Sequence, residues 1–314
     1  LAGTQSGYAV GAGRGLQALL LACLAGRILC VPRRLAFRFG KSWCHFGSAL
    51  GLLGTFLRFF RAQQGALFGL HLLTRLGCTV QRKGSEISID VPKTPGHRAD
   101  YDLVRKMRAS INVLGPLVAR TGQTEVALPG GDAIGSRGLD FHIKGLEALG
   151  ATAHIEHGYV IAKAPQGLTG AMIELDFPSV GATENIMTAA ILAKGTTTID
   201  NAAREPDIVD LGEFLIAMGA NINGLGSPVI TIEGVSELKP ATHATIPDRI
   251  ITGTWAFAAA MTQGDITIHG ARPQDLELPL EKLTSAGAII TSTDDGIRVR
   301  MDSRPQSIDV STIP

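Results

Sequence analysis

The sequence predicts an α+β fold assembled from repeated βαβαββ units, and three observations predict it. An apolar helix that ends in glycine and leads into a hairpin recurs four times, as RLGCTVQRKGSEISID, ALGATAHIEHGYVIAK, AMGANINGLGSPVITI and SAGAIITSTDDGIRVR. Its marker glycines, Gly77, Gly150, Gly219 and Gly287, are spaced by 73, 69 and 68 residues. A second marker follows another helix in each copy, Gly122 in ARTGQTEVAL, Gly195 in LAKGTTTID and Gly264 in MTQGDITIH, spaced by 73 and 69. Finally, 38 glycines beside only 5% aromatic residues suit short strands, tight turns and small-residue packing. A period near 70 is too long for a solenoid repeat and suits a few α+β units around a shared axis.

Each copy reads as strand, helix, strand, helix and hairpin. In the second, Glu125–Leu128 is a strand, and Leu139, Ile143, Leu146 and Leu149 form one apolar helical face. Gly150 supplies the left-handed cap that ends this helix. In the hairpin's second strand Val160 and Ala162 point one way and Tyr159, Ile161 and Lys163 the other. About three complete copies are present, and a fourth is entered after Asp248.

With 314 residues, 45% apolar and 18% charged, the chain is long enough for two ordinary domains and is not disordered. A formal charge of +1 gives no overall attraction to nucleic acid. The longest mostly apolar stretch, Leu16–Ala25, is about half of a membrane span. Arg14 before it gives the outline of a signal-peptide core, but no small-residue cleavage site follows. The cysteines, Cys23, Cys30, Cys44 and Cys78, match neither a metal spacing nor a disulfide scaffold, so a reduced, cytoplasmic protein is expected.

The charge is unevenly divided. Residues 1–77 hold nine basic residues and no Asp or Glu, together with seven of the 11 Phe. The expected organisation is therefore an aberrant basic segment, 1–77, in place of a first repeat, a first domain at 78–246, and the start of a second, truncated domain at 247–314. The segment reads either as a basic partner-binding arm or as an out-of-frame translation of the first repeat. The abrupt return of the pattern at Leu72–Gly77 favours the latter.

Three stretches carry candidate chemistry. In LPGGDAIGSRGLDFH (Leu128–His142), a glycine-rich loop precedes a helix N-terminus, where unpaired N–H groups attract anions. Arg137 there suits a bidentate phosphate contact, and Asp132 at the loop tip suits a general acid; the alternatives are a surface Arg and a turn Asp. In DLVRKMRAS (Asp102–Ser110), Arg105, Lys106 and Arg108 are expected to open a helix, an unfavourable place for cations unless an anion binds. The alternative is a solvated basic face. In DFPSVGATENI (Asp176–Ile186), Ser179 either donates to a ligand or caps an ordinary helix. Arg–acid neighbours in AAREPDIVD (Ala202–Asp210) and IPDRI (Ile246–Ile250) read as structural ion pairs. There is no Walker loop, dinucleotide fingerprint, Ser/His/Asp signature or zinc spacing.

Over residues 97–314, YDLVRKMRAS, LGPLVAR, LPGGDAIGSR, HIKGLEALGA, GYVIAKAP, NAAREPDIVDL and PDRIITGT resemble the UDP-N-acetylglucosamine enolpyruvyl transferases (1-carboxyvinyltransferases) of peptidoglycan synthesis. The resemblance implies two inside-out αβ barrel domains, each of three βαβαββ units. It implies transfer of the enolpyruvyl group of phosphoenolpyruvate to the 3′-hydroxyl of UDP-N-acetylglucosamine, with phosphate release and no metal or organic cofactor. By position, Arg108 and Arg137 would hold anionic groups of the substrates. Gly138, Leu139, Asp140 and Phe141, with Phe177, Pro178, Ser179 and Val180, would line the nucleotide-sugar site. Asp132 would be the proton donor, in a place where most relatives carry a Cys. Without that thiolate the epoxide fosfomycin lacks its nucleophile, so insensitivity is expected.

Two departures from the family pattern stand out. Its Gly-Ala-Lys-Asn stretch is absent, the Ala36–Lys41 region reading AFRFGK, and its catalytic Asp is expected beyond Pro314. Two alternative functions remain: a catalytically inactive fragment that at most binds UDP-N-acetylglucosamine, and 3-phosphoshikimate 1-carboxyvinyltransferase. The PGGDAIGSR loop and the AREP stretch argue against the second.

Overall fold

The computed structural model describes residues 28–30, 37–39, 69–83, 86–130 and 138–311. Most of the basic 1–77 segment, and with it the choice between an arm and an out-of-frame repeat, lies outside the described residues. The chain divides into two compact units. One holds residues 65–244 with β1 (Ile28–Cys30), the other 245–314 with β2 (Phe37–Phe39).

Two full βαβαββ copies lie in the larger unit. The first has β5 (Arg98–Ala99), a short helix Tyr101–Val104, a 3₁₀ helix Arg108–Val113, helix Leu114–Thr121, β6 (Gln123–Ala127), helix Asp140–Ala148, β7 (Thr152–Glu156) and β8 (Tyr159–Lys163). The next has β9 (Met172–Glu174), helix Val180–Ala190, β10 (Thr196–Asp200), helix Pro206–Ala217, β11 (Asn221–Asn223) and β12 (Val229–Glu233). Their sheets run β5-β6-β8-β7 and β9-β10-β12-β11, with the opening strand parallel to the second and the other pairings antiparallel. Ahead of them, helical residues 69–75 lead into the hairpin β3 (Thr79–Lys83) and β4 (Glu86–Asp90).

In the smaller unit come helix Arg249–Met261, β13 (Asp265–His269), helix Glu277–Ser285, β14 (Ile289–Thr293) and β15 (Gly296–Arg300). Their sheet runs β2-β13-β15-β14. Here β2 fills the slot that β5 and β9 fill in their sheets, but it runs antiparallel, pairing Phe37 with Ile268 and Phe39 with Ile266. By contrast, β1 pairs β4 antiparallel, in the same sense as β6 on β8.

The marker glycines close four identical helix ends. Gly77, Gly150, Gly219 and Gly287 have φ of 89, 90, 100 and 103°, the left-handed region that favours glycine. Each donates its N–H to the carbonyl three residues back, on Thr74, Glu147, Ile216 and Thr284. The residue after it (Cys78, Ala151, Ala220 or Ala288) donates to the carbonyl of Leu73, Leu146, Leu215 or Leu283. This pair of bonds is the Schellman end, and its usual apolar contact is the small residue beside that leucine, both buried in all four copies. Cys78 therefore occupies an alanine-like packing position; burial pushes its thiol up to about 11, so it stays protonated. The second marker is left-handed at Gly122 and Gly195, but in the third copy the residue before it, Gln263, takes the positive φ of 52°.

The 139–149 helical face is buried as the periodicity requires: Leu139, Leu146 and Leu149 lie inside and Ile143 packs at its edge. The hairpin also alternates as expected, with Val160 and Ala162 inward. After helix 206–217 the chain runs extended over its outer side. There His243 Nε2 meets the buried Asp210 carboxylate at 2.8 Å, and its ring stacks on Phe214 with centroids 5.0 Å apart.

Candidate active site

The helix Val180–Ala190 organises the site. Ser179 caps its N-terminus, its hydroxyl oxygen accepting from the Ala182 N–H at 3.3 Å. From Ala182 to Ala190 every residue is buried. Helices 114–121 and 140–148 press against it through glycines. A Cβ on Gly115 would collide with the Asn185 carbonyl, and one on Gly145 with the Ile186 side chain. At Gly115 the two backbones approach closely, at Gly145 the Ile186 side chain fills the space, and buried polar residues lie beside these contacts.

Those residues form a buried cluster. Asn185 Oδ1 accepts the Gly115 N–H at 2.8 Å. Because a backbone N–H only donates, this fixes the amide's orientation and turns Nδ2 toward His142 Nδ1, 2.9 Å away. Nδ1 must then accept, which leaves the proton on Nε2. The same Nδ2 reaches the Ile111 carbonyl at 3.2 Å and Asn112 Oδ1 at 3.3 Å. Asn112 Nδ2 in turn donates to the Glu184 carboxylate. His142 is only 5% exposed. Burial, followed by the nearby positive charge of Arg108, holds its pKa down to about 4, while the Asp140 carboxylate pulls the other way. The ring is neutral near pH 7.

Around this cluster the expected site residues take their places. Arg108 starts the 3₁₀ helix, half-buried, near enough to act on the His142 ring. Gly138 is exposed, and the Asp140 carboxylate folds back against it, so a Cβ at 138 would collide with Oδ1. Leu139 takes the N-cap position with its side chain in the core, so only its backbone faces outward. Phe141 is half-buried, Phe177 is 46% exposed, and Pro178, Ser179 and Val180 are half-buried at the next helix start. An ion pair at 3.2 Å from Lys144 to Asp176 joins the two helix starts. Asp132 and Arg137 lie outside the described residues.

One expectation is corrected. Arg105 and Lys106 do not open a helix, whereas Arg108 opens the 3₁₀ helix 108–113. Arg105 caps the C-terminal end of the short helix 101–104, a favourable place for a cation, and its guanidinium lies 4.8 Å over the Tyr101 ring. The unfavourable dipole that called for an anion at Arg105 and Lys106 is absent. The IPDRI acid also has a definite role: Asp248 caps helix 249–261, accepting from the Ile250 and Ile251 N–H groups at 2.9 and 3.0 Å. Sequence reasoning missed Asn112, Glu184 and Asn185. The signal for Glu184 and Asn185 was a run of polar residues, Thr183 to Asn185, inside a mostly apolar helix; Asn112 carried no comparable signal. Among the described residues no group of three His, Cys, Asp or Glu could hold a metal ion, and no helix is long and apolar enough to cross a membrane.

The family model for EPSP synthase (3-phosphoshikimate 1-carboxyvinyltransferase) matches residues 67–314. The chain belongs to this EPSP synthase family. Its curated relatives within reach of sequence comparison include the UDP-N-acetylglucosamine 1-carboxyvinyltransferases of Corynebacterium jeikeium, 57% identical, and Corynebacterium efficiens, 56% identical. That of Mycobacterium leprae is 55% identical. Each match runs over 243 residues, 77% of this chain and 58% of the relative, so the chain spans somewhat over half their length. Among solved structures, the enolpyruvyl transferase NikO from Streptomyces tendae superposes with a TM-score of 0.70 at 18% identity, covering 95% of this chain and 66% of NikO. EPSP synthase from Acinetobacter baumannii gives 0.59 at 17%, covering 96% and 66%. These likenesses establish the enolpyruvate transferase fold for this EPSP synthase family member.

Proposed function

We propose that this chain serves the transfer of the enolpyruvyl group of phosphoenolpyruvate to the 3′-hydroxyl of UDP-N-acetylglucosamine, the first committed step of peptidoglycan synthesis. The observation that carries the reading is the 57% identity, over 243 residues, to a relative named UDP-N-acetylglucosamine 1-carboxyvinyltransferase. Within the family the 3-phosphoshikimate reaction is the competing assignment, and the likeness at that level is 17%.

On this reading Arg108 and Arg137 neutralise anionic groups of the two substrates. The backbone of Gly138–Phe141 and of Phe177–Val180 lines the nucleotide sugar. Phe177, 46% exposed, offers a face for stacking, while the half-buried Ser179 has one lone pair in its cap and its O–H left to donate. Asp132, protonated, gives its proton to C3 of phosphoenolpyruvate as the 3′-oxygen bonds to C2 and the 3′-hydroxyl gives its own proton to water; the Asp132 carboxylate later takes back the proton that C3 loses. The tetrahedral adduct then loses phosphate from C2 and a proton from C3, restoring the double bond. No metal or organic cofactor enters this scheme, and the substrates place the reaction in the cytoplasm. Residues 1–77 stand in place of a first repeat, 78–246 form the first domain and 247–314 begin the second.

The test is phosphate release from phosphoenolpyruvate by this 314-residue chain. Release that requires UDP-N-acetylglucosamine and persists after fosfomycin treatment is the expected result. Release with shikimate 3-phosphate instead, or a covalent fosfomycin adduct on Asp132, would overturn the assignment or the role of Asp132.

A further inference from the structure

The Asn112–Glu184–Asn185–His142 cluster is buried beneath the proposed site and takes no part in the scheme above. Glu184 is 3% exposed, Asn112 1% and Asn185 fully buried. Stability alone is a poor account of it, because well-packed apolar residues in such a place are commonly as stabilising as buried polar ones. What the cluster supplies instead is direction: each of its hydrogen bonds is satisfied in only one arrangement of the elements that bear it.

Those elements are the ones that carry the site. Asn112 and the Ile111 carbonyl belong to the 3₁₀ helix that begins at Arg108. His142 lies in the first turn of the helix whose start is Gly138–Phe141. Glu184 and Asn185 lie one turn into the helix that follows Phe177–Ser179. Gly181, in that helix's first turn, faces the His142 ring and Asn112: a Cβ there would sit in ordinary contact, 3.4 Å from Cε1 and 3.8 Å from Asn112 Oδ1. The single amide of Asn185 therefore lies within hydrogen-bond distance of all three segments: its oxygen accepts from the Gly115 N–H, and the two N–H groups of Nδ2 are shared among the Ile111 carbonyl, Asn112 Oδ1, His142 Nδ1 and the Gly181 carbonyl, 3.4 Å away.

We propose that Asn185, with Asn112, Glu184 and His142, is a positioning cluster that fixes Arg108, Gly138–Phe141 and Phe177–Val180 in one mutual geometry without touching a ligand. What those segments bind rests on the function proposed above; their mutual ordering does not. The cluster acts as a keystone. Removing the Asn185 amide leaves the Gly115 N–H unpaired in the interior, takes one donor from the Ile111 carbonyl, which keeps the Leu114 N–H, and frees the His142 ring to turn.

Hydrogen exchange on the unliganded full chain tests this, with Asn185→Leu, the milder Asn112→Ser, and Ile230→Ala as a control. Ile230 is fully buried in the same unit, on β12 and outside the cluster. The expected result is that both cluster variants raise exchange about tenfold in peptides covering 108–113, 138–142 and 177–181 together, while Ile230→Ala does not. Nitrogen NMR of the wild-type imidazole should show Nδ1 unprotonated and Nε2 protonated. Titration with UDP-N-acetylglucosamine should give a Kd about tenfold weaker for both cluster variants than for Ile230→Ala. Faster exchange confined to helix 180–190, exchange like that of Ile230→Ala, or a proton on Nδ1 would overturn the proposal. So would unchanged affinity in the cluster variants when the wild-type chain binds. If the wild-type chain does not bind the nucleotide sugar, the functional reading falls, and the exchange pattern decides the cluster by itself.

Discussion

Helices 180–190 and 249–261 hold the same place in successive repeats, and their surroundings differ. Both are N-capped, by Ser179 and Asp248, and both are apolar. The first is buried on every side from its third residue onward. Of the second, only Thr252, Gly253, Ala256, Ala259 and Ala260 are buried, while Ile250, Phe257 and Met261 are 48, 45 and 74% exposed along one face. Helices 114–121 and 140–148 cover the first, and among the described residues of its own unit the second has no such pair. A repeated sequence thus specifies a helix and its cap, while neighbouring copies decide how much of it becomes interior. The polar cluster exists where two successive copies meet, Asn112 and His142 from one and Glu184 and Asn185 from the next, and the open face of 249–261 carries none.

Four comparisons sharpen that contrast. The largest effect is expected from Met187→Glu, which puts a charge in a fully buried position and should cost more than about 4 kcal/mol, abolishing the melt of the larger unit. Met261→Glu, at 74% exposure, should change stability by less than about 0.5 kcal/mol and reduce self-association in sedimentation. Equal effects would remove the distinction between the two helices.

Next comes glycine packing. Gly115→Ala should cost about 3 kcal/mol or more by chemical denaturation, since its Cβ meets the Asn185 backbone. In helix 249–261, a Cβ on Gly253 would meet Leu276 Cδ2 at an ordinary 3.5 Å, so Gly253→Ala should stabilise by up to about 1 kcal/mol through helix propensity.

The third is pH. Above about pH 6.5 the His142 imidazole is neutral in both folded and unfolded chains. Below that the unfolded chain takes up a proton that the folded chain refuses until about pH 4. Stability should therefore fall as pH drops through this window, by up to about 3 kcal/mol, and His142→Gln should flatten that part of the curve. No buried histidine lies among described residues 245–311, so the melt of that unit should lack this slope. The smallest effect belongs to the caps. Asp248→Ala, which loses two bonds, should cost about 1–2 kcal/mol and Ser179→Ala, which loses one long bond, about 0.5–1 kcal/mol, in matched thermal melts.

The fold was readable because its punctuation is local. A leucine, three residues, a glycine and a small residue spell the Schellman end wherever they occur, and each of the four copies carries it. The site was readable in part, through the glycine-rich approach to helix 140–148 and the Phe177–Ser179 turn. The Arg105–Arg108 run misled because helix propensity does not reveal that Tyr101–Val104 stops and a 3₁₀ turn intervenes. The cluster was hidden for a different reason. Asn112, His142 and Asn185 are 30 and 43 residues apart in sequence, and nothing in a one-dimensional pattern reports that Gly115 brings its helix against the Asn185 backbone or that Gly145 makes room for the Ile186 side chain.

Gln263 holds a further lesson. At two copies the left-handed residue before the second strand is glycine; at the third the turn has moved one place, and a glutamine bears it while Gly264 stands idle beside it. The chain therefore keeps the glycine in register while the left-handed torsion passes to the neighbour before it. On a residue with a Cβ that torsion carries a toll of about 1 kcal/mol. A tally of glycines finds this marker three times in place; a tally of positive φ angles finds it displaced once.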